Sequence, residues 1–102
     1  MITLCIRYTI DANKLADFAA YARALPHHIE RCGGTRVGYY LPTKLAGPTN
    51  LALGLIDFPD LAAYEQYRKK LASDPAAAET ARHVDSSGCI LNEDRAFVSR
   101  VT

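Results

Sequence analysis

The eight residues 51–58, LALGLIDF, constrain the fold more than any other stretch of this chain. Read as a strand, they place Leu51, Leu53 and Leu55 on one face and Ile56 and Phe58 on the other. A strand that is apolar on both sides lies inside a sheet and needs cover on both sides. With 102 residues the chain makes one domain, and its helices can cover one face. The other face would leave a leucine patch too large for a comfortable monomer. A second copy packed sheet to sheet removes that patch from water, so a homodimer through the sheet face is expected. Hiding a few hundred Å² of apolar surface per subunit would contribute roughly 10 kcal/mol before association costs.

The remaining elements follow from spacing. Residues 2–9 alternate Ile2, Leu4, Ile6 and Tyr8 against Thr3, Cys5, Arg7 and Thr9, which is strand periodicity. Asp11 stands at an N-cap position, and Leu15, Phe18, Ala22, Leu25 and Ile29 form a helical stripe that Pro26 should kink. Gly33-Gly34 closes that helix. Residues 35–41 read as a second strand and 42–50, with two prolines, as a loop. Pro59-Asp60 opens a second helix with Leu61, Tyr64, Arg68 and Leu71 on one face. Asp74-Pro75 opens a third helix, expected to run to about Val84. Residues 88–93 read as the last strand, with the following RAFVSRV either extending it or crossing to a partner. The order β-α-β-β-α-(α)-β is the split βαβ pattern of an α+β, ferredoxin-like sandwich with a four-stranded antiparallel sheet.

Several function classes recede. Twelve Lys and Arg against eleven Asp and Glu leave a formal charge of +1, which gives no electrostatic case for nucleic acid or an anionic membrane. No stretch approaches the ~20 apolar residues of a membrane span. The opening MITLCIRYTI contains Arg7 and lacks a basic n-region and cleavage site, so it reads as a strand and not as a signal peptide. Cys5, Cys32 and Cys89 have no CxxC spacing; free thiols in a reducing cytoplasm are the expectation. GxSxG, GxGxxG and P-loop motifs are missing, and no cofactor is expected.

The runs GYYLP at 38–42, IDFPDLAAYEQYRKKLASDP at 56–75 and CILNEDRAFVSRV at 89–101 resemble the NIPSNAP domain family, as does the helix DANKLADFAAYARALPHHIERCGG at 11–34. The most specific piece is the phenylalanine-proline-aspartate helix entry with YExYR and the later DP pair. The resemblance implies a dimeric α+β barrel, which agrees with the argument from residues 51–58. It carries no agreed reaction or catalytic set. Related architectures include cofactor-free monooxygenases, dye-decolourising and haem-handling enzymes and small dehydratases, and fold alone does not choose among them.

Eight residues are candidates for ligand binding. On the helical wheel, Arg68 faces inward beside Tyr64, where its fork could clamp a carboxylate. The structural alternative is an ion pair with Asp57, Asp74, Glu93 or Asp94, or a side chain snorkelling outward. Arg7, in the middle of a central strand, either lines a pocket or crosses the dimer interface to Glu93 or Asp94. Tyr39 and Tyr40 point to opposite faces, one to the helices and one to the interface. Tyr8, Tyr64 and Tyr67 could complete an aromatic wall with phenol donors, although packed tyrosines are common. His28 could act as a general base and lies one turn from Cys32, but two ligands do not make a zinc site. His27 points to solvent. The expected role is a homodimer binding a small organic or acidic ligand between helices and sheet; the alternative is a cofactor-independent monooxygenase or isomerase. Neither reading fixes a catalytic residue.

Overall fold

The structure, a computed structural model, describes all 102 residues. Strand β1 (Ile2–Ile10) leads through a single 3-10 turn (Ala12–Lys14) into α1 (Leu15–Arg31). Then follow β2 (Thr35–Tyr40), β3 (Leu51–Phe58), α2 (Leu61–Ala72), α3 (Pro75–Ser87) and β4 (Ile90–Val98). The strands form one antiparallel sheet in the order β2-β3-β1-β4, so the two most apolar strands are central, as their composition requires. This is the expected ferredoxin-like arrangement.

Local chemistry sets the boundaries. The carboxylates of Asp11, Asp60 and Asp74 accept from the backbone N–H of Asn13, Ala63 and Ala77. Each satisfies a donor that the start of a helix leaves free. Pro75 occupies the first turn of α3, where its missing N–H costs nothing. Gly88, at φ 68°, ends α3 in the left-handed conformation. α1 runs unbroken from Leu15 to Arg31 with Pro26 inside it.

Two features differ from the sequence reading, the end of α3 and the stripe of α2, and the open alternative for the tail is resolved. α3 continues to Ser87, and β4 continues past Glu93 to Val98, because its whole length pairs with β1 from Ile10 back to Thr3. The apolar stripe of α2 is Ala63, Tyr64, Tyr67 and Leu71; Leu61 at the first turn is exposed.

The core lies between the helices and one sheet face. Leu4, Ile6, Tyr8 and Ile10 of β1 and Ala52, Ile56 and Phe58 of β3 meet Phe18, Leu25 and Ile29 of α1, with Tyr67 and Val84 from the other helices. No charged residue is buried. The opposite sheet face carries no helix. It presents Arg7, half-buried Leu53 and Leu55, and exposed Leu51, Tyr40 and Val98.

β2 joins the sheet with a shift in register. Thr35 pairs with Asp57, but Gly38 pairs with Leu55, so one extra residue is accommodated between them. Arg36 lies in this bulge at φ 47°, the one non-glycine residue with positive φ. Thr35 and Arg36 both address Asp57, through a hydroxyl to its carbonyl at 3.0 Å and a loose ion pair at 3.8 Å.

Candidate functional site

Four tyrosine hydroxyls gather on the helix-facing side of the sheet. Tyr8 in β1 is buried, and its hydroxyl is 3.0 Å from that of Tyr39 in β2. β2 and β1 are not neighbours, so Tyr39 must reach across β3. It does so over Gly54, its register partner, where an added Cβ would stand 2.8 Å from Tyr39 Cζ. From the helix layer, Tyr21 of α1 packs on Phe18, which packs on Tyr8. Tyr67 of α2 packs on Phe58.

Burial holds all four phenols in the neutral, proton-donating form. It pushes Tyr8 far above the ordinary phenol range, reinforced by Tyr39 and Tyr21, and raises Tyr21 in the same way. Burial also raises Tyr39 and Tyr67 to about 12. Tyr67 is only 5% exposed, yet its hydroxyl has no hydrogen-bond partner in the protein and is not sealed from solvent. It is an unused donor.

β4 completes this region. Its pairing with β1 sets Glu93 opposite Tyr8, Arg95 opposite Ile6 and Phe97 opposite Leu4, so all three side chains share the helix-facing side. Arg95 Nε donates to Glu93 Oε2 at 2.7 Å. Burial disfavours the Arg95 charge, but the hydrogen-bonded carboxylate outweighs it and holds the guanidinium pKa above its ordinary value. Tyr8, Tyr21 and Tyr39 feel the Glu93 charge, and Tyr21, Tyr39 and Tyr67 feel Arg95. At the far end, the Tyr64 and Phe97 rings meet edge to face at 4.9 Å. The helix layer stops short of β4, whose residues from Leu91 onward are all exposed.

The structure brings together Tyr8, Tyr39, Tyr64 and Tyr67 among the residues expected from sequence. It does not bring Arg68 to them. Arg68 is exposed, because Tyr67 takes the inward position on α2 and an aromatic ring gains from burial what a guanidinium loses. Arg7 and Tyr40 lie on the helix-free face. Arg7 stands opposite Asp94 on β4, while Glu93 points to the other side of the sheet. Tyr21 and Arg95 were not foreseen, and Glu93 was weighed only as an ion-pair partner for Arg68 or Arg7. The period-two run Glu93, Arg95, Phe97 was the available signal, hidden by ending the strand at Glu93.

A family model for NIPSNAP matches residues 3–102. The chain belongs to the NIPSNAP family. Among solved structures, it is similar to an uncharacterized NIPSNAP domain protein from Burkholderia xenovorans, at 17% identity and a TM-score of 0.81, covering 99% of this chain and 95% of that one. It is also similar to a NIPSNAP family protein from Agrobacterium tumefaciens, at 19% identity and a TM-score of 0.82, covering 98% and 92%. A putative antibiotic biosynthesis monooxygenase from Nitrosomonas europaea superposes over the full length of both chains, with 8% identity and a TM-score of 0.74. At these identities the likeness is one of fold. No curated protein matches the chain.

This NIPSNAP chain has a second recess, between α1 and α3. Both ends of that helix pair are fastened. Lys14 Nζ donates to the Ser87 carbonyl at 2.7 Å, and at the other end Arg31 donates to Asp74 Oδ2 through Nε at 2.9 Å and through a terminal nitrogen at 2.7 Å. His28 belongs to the second clasp. Its Nδ1 lies 2.9 Å from an Arg31 nitrogen and its Nε2 2.9 Å from Thr80 Oγ1. Since arginine can only donate, Nδ1 accepts and Nε2 carries the proton. With both nitrogens engaged, His28 is a tie between helices. Cys32 donates to Asp74 at 3.7 Å, and no three His, Cys, Asp or Glu side chains are grouped to hold a metal. Between the clasps a cavity of about 470 Å³ is lined by Ala20, Tyr21, Ala24, Thr80, His83 and Val84, among others. Tyr21 thus lines this cavity and also joins the phenol cluster. No helix is long and apolar enough to cross a membrane.

Proposed function

We propose that this NIPSNAP domain is a homodimer that binds a small organic or acidic molecule between its helices and sheet. The observation that carries the reading is the convergence of neutral phenols on an ion-paired arginine. Tyr8, Tyr21, Tyr39 and Tyr67 come from four elements to one region beside Glu93–Arg95, bordered by the Tyr64–Phe97 aromatic pair. A packed core has no need of an unpaired Tyr67 hydroxyl or a half-exposed guanidinium; a cleft that orients a polar aromatic molecule uses both. The dimer follows from the helix-free sheet face. Leu51, Leu53 and Leu55 line up there with Tyr40 and Val98, apolar surface that a second sheet would cover.

Two measurements test this. Sedimentation across a dilution series should find a dimer at micromolar concentration, and a monomer there removes the assembly. Thermal-shift screening against phenols and aromatic acids should find stabilising ligands whose effect falls on Tyr67→Phe. A panel with no stabiliser, or a stabiliser indifferent to Tyr67→Phe and Arg95→Gln, refutes the cleft.

A second reading is a cofactor-independent enzyme of the monooxygenase or isomerase type. It is favoured by Arg95 standing beside proton-donating phenols, which is how a site steadies negative charge developing on a substrate oxygen. The fold shared with the putative monooxygenase from Nitrosomonas europaea is compatible with it. Turnover of a bound phenol or enol that is lost in Arg95→Gln would favour this reading over simple binding.

A further inference from the structure

Arg95 uses only Nε for protein, in its bond to Glu93, and its remaining donors have no protein acceptor. The carboxylate that satisfies it comes from two residues earlier on the same strand face, the least constrained source a strand can offer. Both partners are partly open to solvent, with 42% of the arginine and 29% of the glutamate side chain exposed. Glu93 has no other hydrogen-bond donor from a protein side chain. It neutralises the arginine without locking it in place.

The surroundings of the pair are sorted along β4. Toward Glu93 lie the phenols of Tyr8, Tyr21 and Tyr39; toward Phe97 lies the Tyr64 ring. Same-face neighbours on a strand stand roughly 7 Å apart, so Arg95 and the Phe97 ring are separated by a span that a two-ring aromatic acid covers. We propose that Glu93 is a resident stand-in for the carboxylate of an aromatic acid, which displaces it from Arg95 and lays its rings against Tyr64 and Phe97. This rests on the ligand-cleft reading above and adds the ligand's class and the exchange by which it enters. The guanidinium fork would take both ligand oxygens, which Glu93, bound through Nε alone, does not. Tyr67 of α2, whose hydroxyl has no partner in the protein, would supply a further donor to the same carboxylate.

Isothermal titration of the full chain with 2-naphthoate and with its neutral analogue 2-naphthamide tests the exchange. Wild-type protein should prefer the acid by about tenfold or more, the scale of a charge-assisted hydrogen bond. Glu93→Gln, which removes the competing charge, should tighten 2-naphthoate binding by about tenfold and leave 2-naphthamide unchanged. Arg95→Lys keeps the charge but loses the fork, and should erase most of the preference for the acid while preserving the far-UV spectrum. If both compounds bind wild-type protein equally, or if Glu93→Gln weakens or leaves unaltered the binding of the acid, the exchange is wrong although the cleft stands. If neither compound binds wild-type or Glu93→Gln protein, the cleft and the exchange both fall.

Discussion

The Tyr39 ring lies directly over Gly54, with the position of a missing Cβ 2.8 Å from its Cζ and 3.1 Å from its hydroxyl. That absence lets a residue of an edge strand reach a phenol two strands away. Gly54→Ala should therefore lift Tyr39 off Tyr8 and cost about 1–3 kcal/mol, the usual penalty for overfilling a packed site. Urea denaturation gives the cost, and loss of near-ultraviolet tyrosine signal would report the displaced ring. An alanine variant as stable as wild type, with an unchanged near-ultraviolet spectrum, would contradict this arrangement.

The clasp between α1 and α3 depends on Asp74, and it should fail in acid. The Ala77 backbone N–H and then Arg31 hold its carboxyl at about 2, against an ordinary 3.8. The unfolded chain takes up this proton at the higher pH, so the contribution is complete above about pH 4 and is lost as pH falls from 3.8 to 2. Urea midpoints measured from pH 7 to pH 2 should show a steeper acid loss for wild type than for Asp74→Asn. Parallel curves through that window would mean that Asp74 is not coupled to folding.

On the helix-free face, Leu53 is paired with Arg7 on one side and Tyr40 on the other. Leu53→Lys sets a second cation beside Arg7 in the centre of the leucine patch. It should turn the proposed dimer into a monomer by sedimentation while leaving far-ultraviolet circular dichroism intact, because the substituted side chain is outside the core. A variant that still sediments as a dimer would place the interface elsewhere.

Arg68→Ala should change stability by no more than about 0.5 kcal/mol, as for other exposed side chains without partners. It should also leave ligand stabilisation unchanged. A loss above about 1 kcal/mol would show that the guanidinium is engaged after all.

The fold was legible because its signals are redundant. The alternation in β1 and β3, the aspartate caps and the Asp74-Pro75 start of α3 each fix an element independently. The site was legible only in part. Tyr8, Tyr39, Tyr64 and Tyr67 stand out as polar-tipped rings on apolar faces, and the structure places them together. Arg68 was misplaced because each residue turns a helix by 100°, so beginning the stripe at Leu61 in place of Ala63 exchanges Tyr67 for its neighbour. Arg95, and the place of Glu93 beside the phenols, escaped notice for another reason. Charged residues on an edge strand look like protection against aggregation, and only the pairing with β1 shows that they face the phenols.

The bulge in β2 works as a parity setting for the two adjacent tyrosines. Counting from Thr35 opposite Asp57, unbroken alternation would send Tyr40 to the helix side and Tyr39 to the bare face; one additional residue near Arg36 reverses that assignment. Flattening the bulge with every residue kept would thus swap an interior phenol for a surface one, whereas deleting Arg36 would remove the extra residue and leave Tyr39 opposite Gly54. Whether the chain keeps its extra residue out of register at Arg36, more than a substitution at either tyrosine, decides which of them the interior receives.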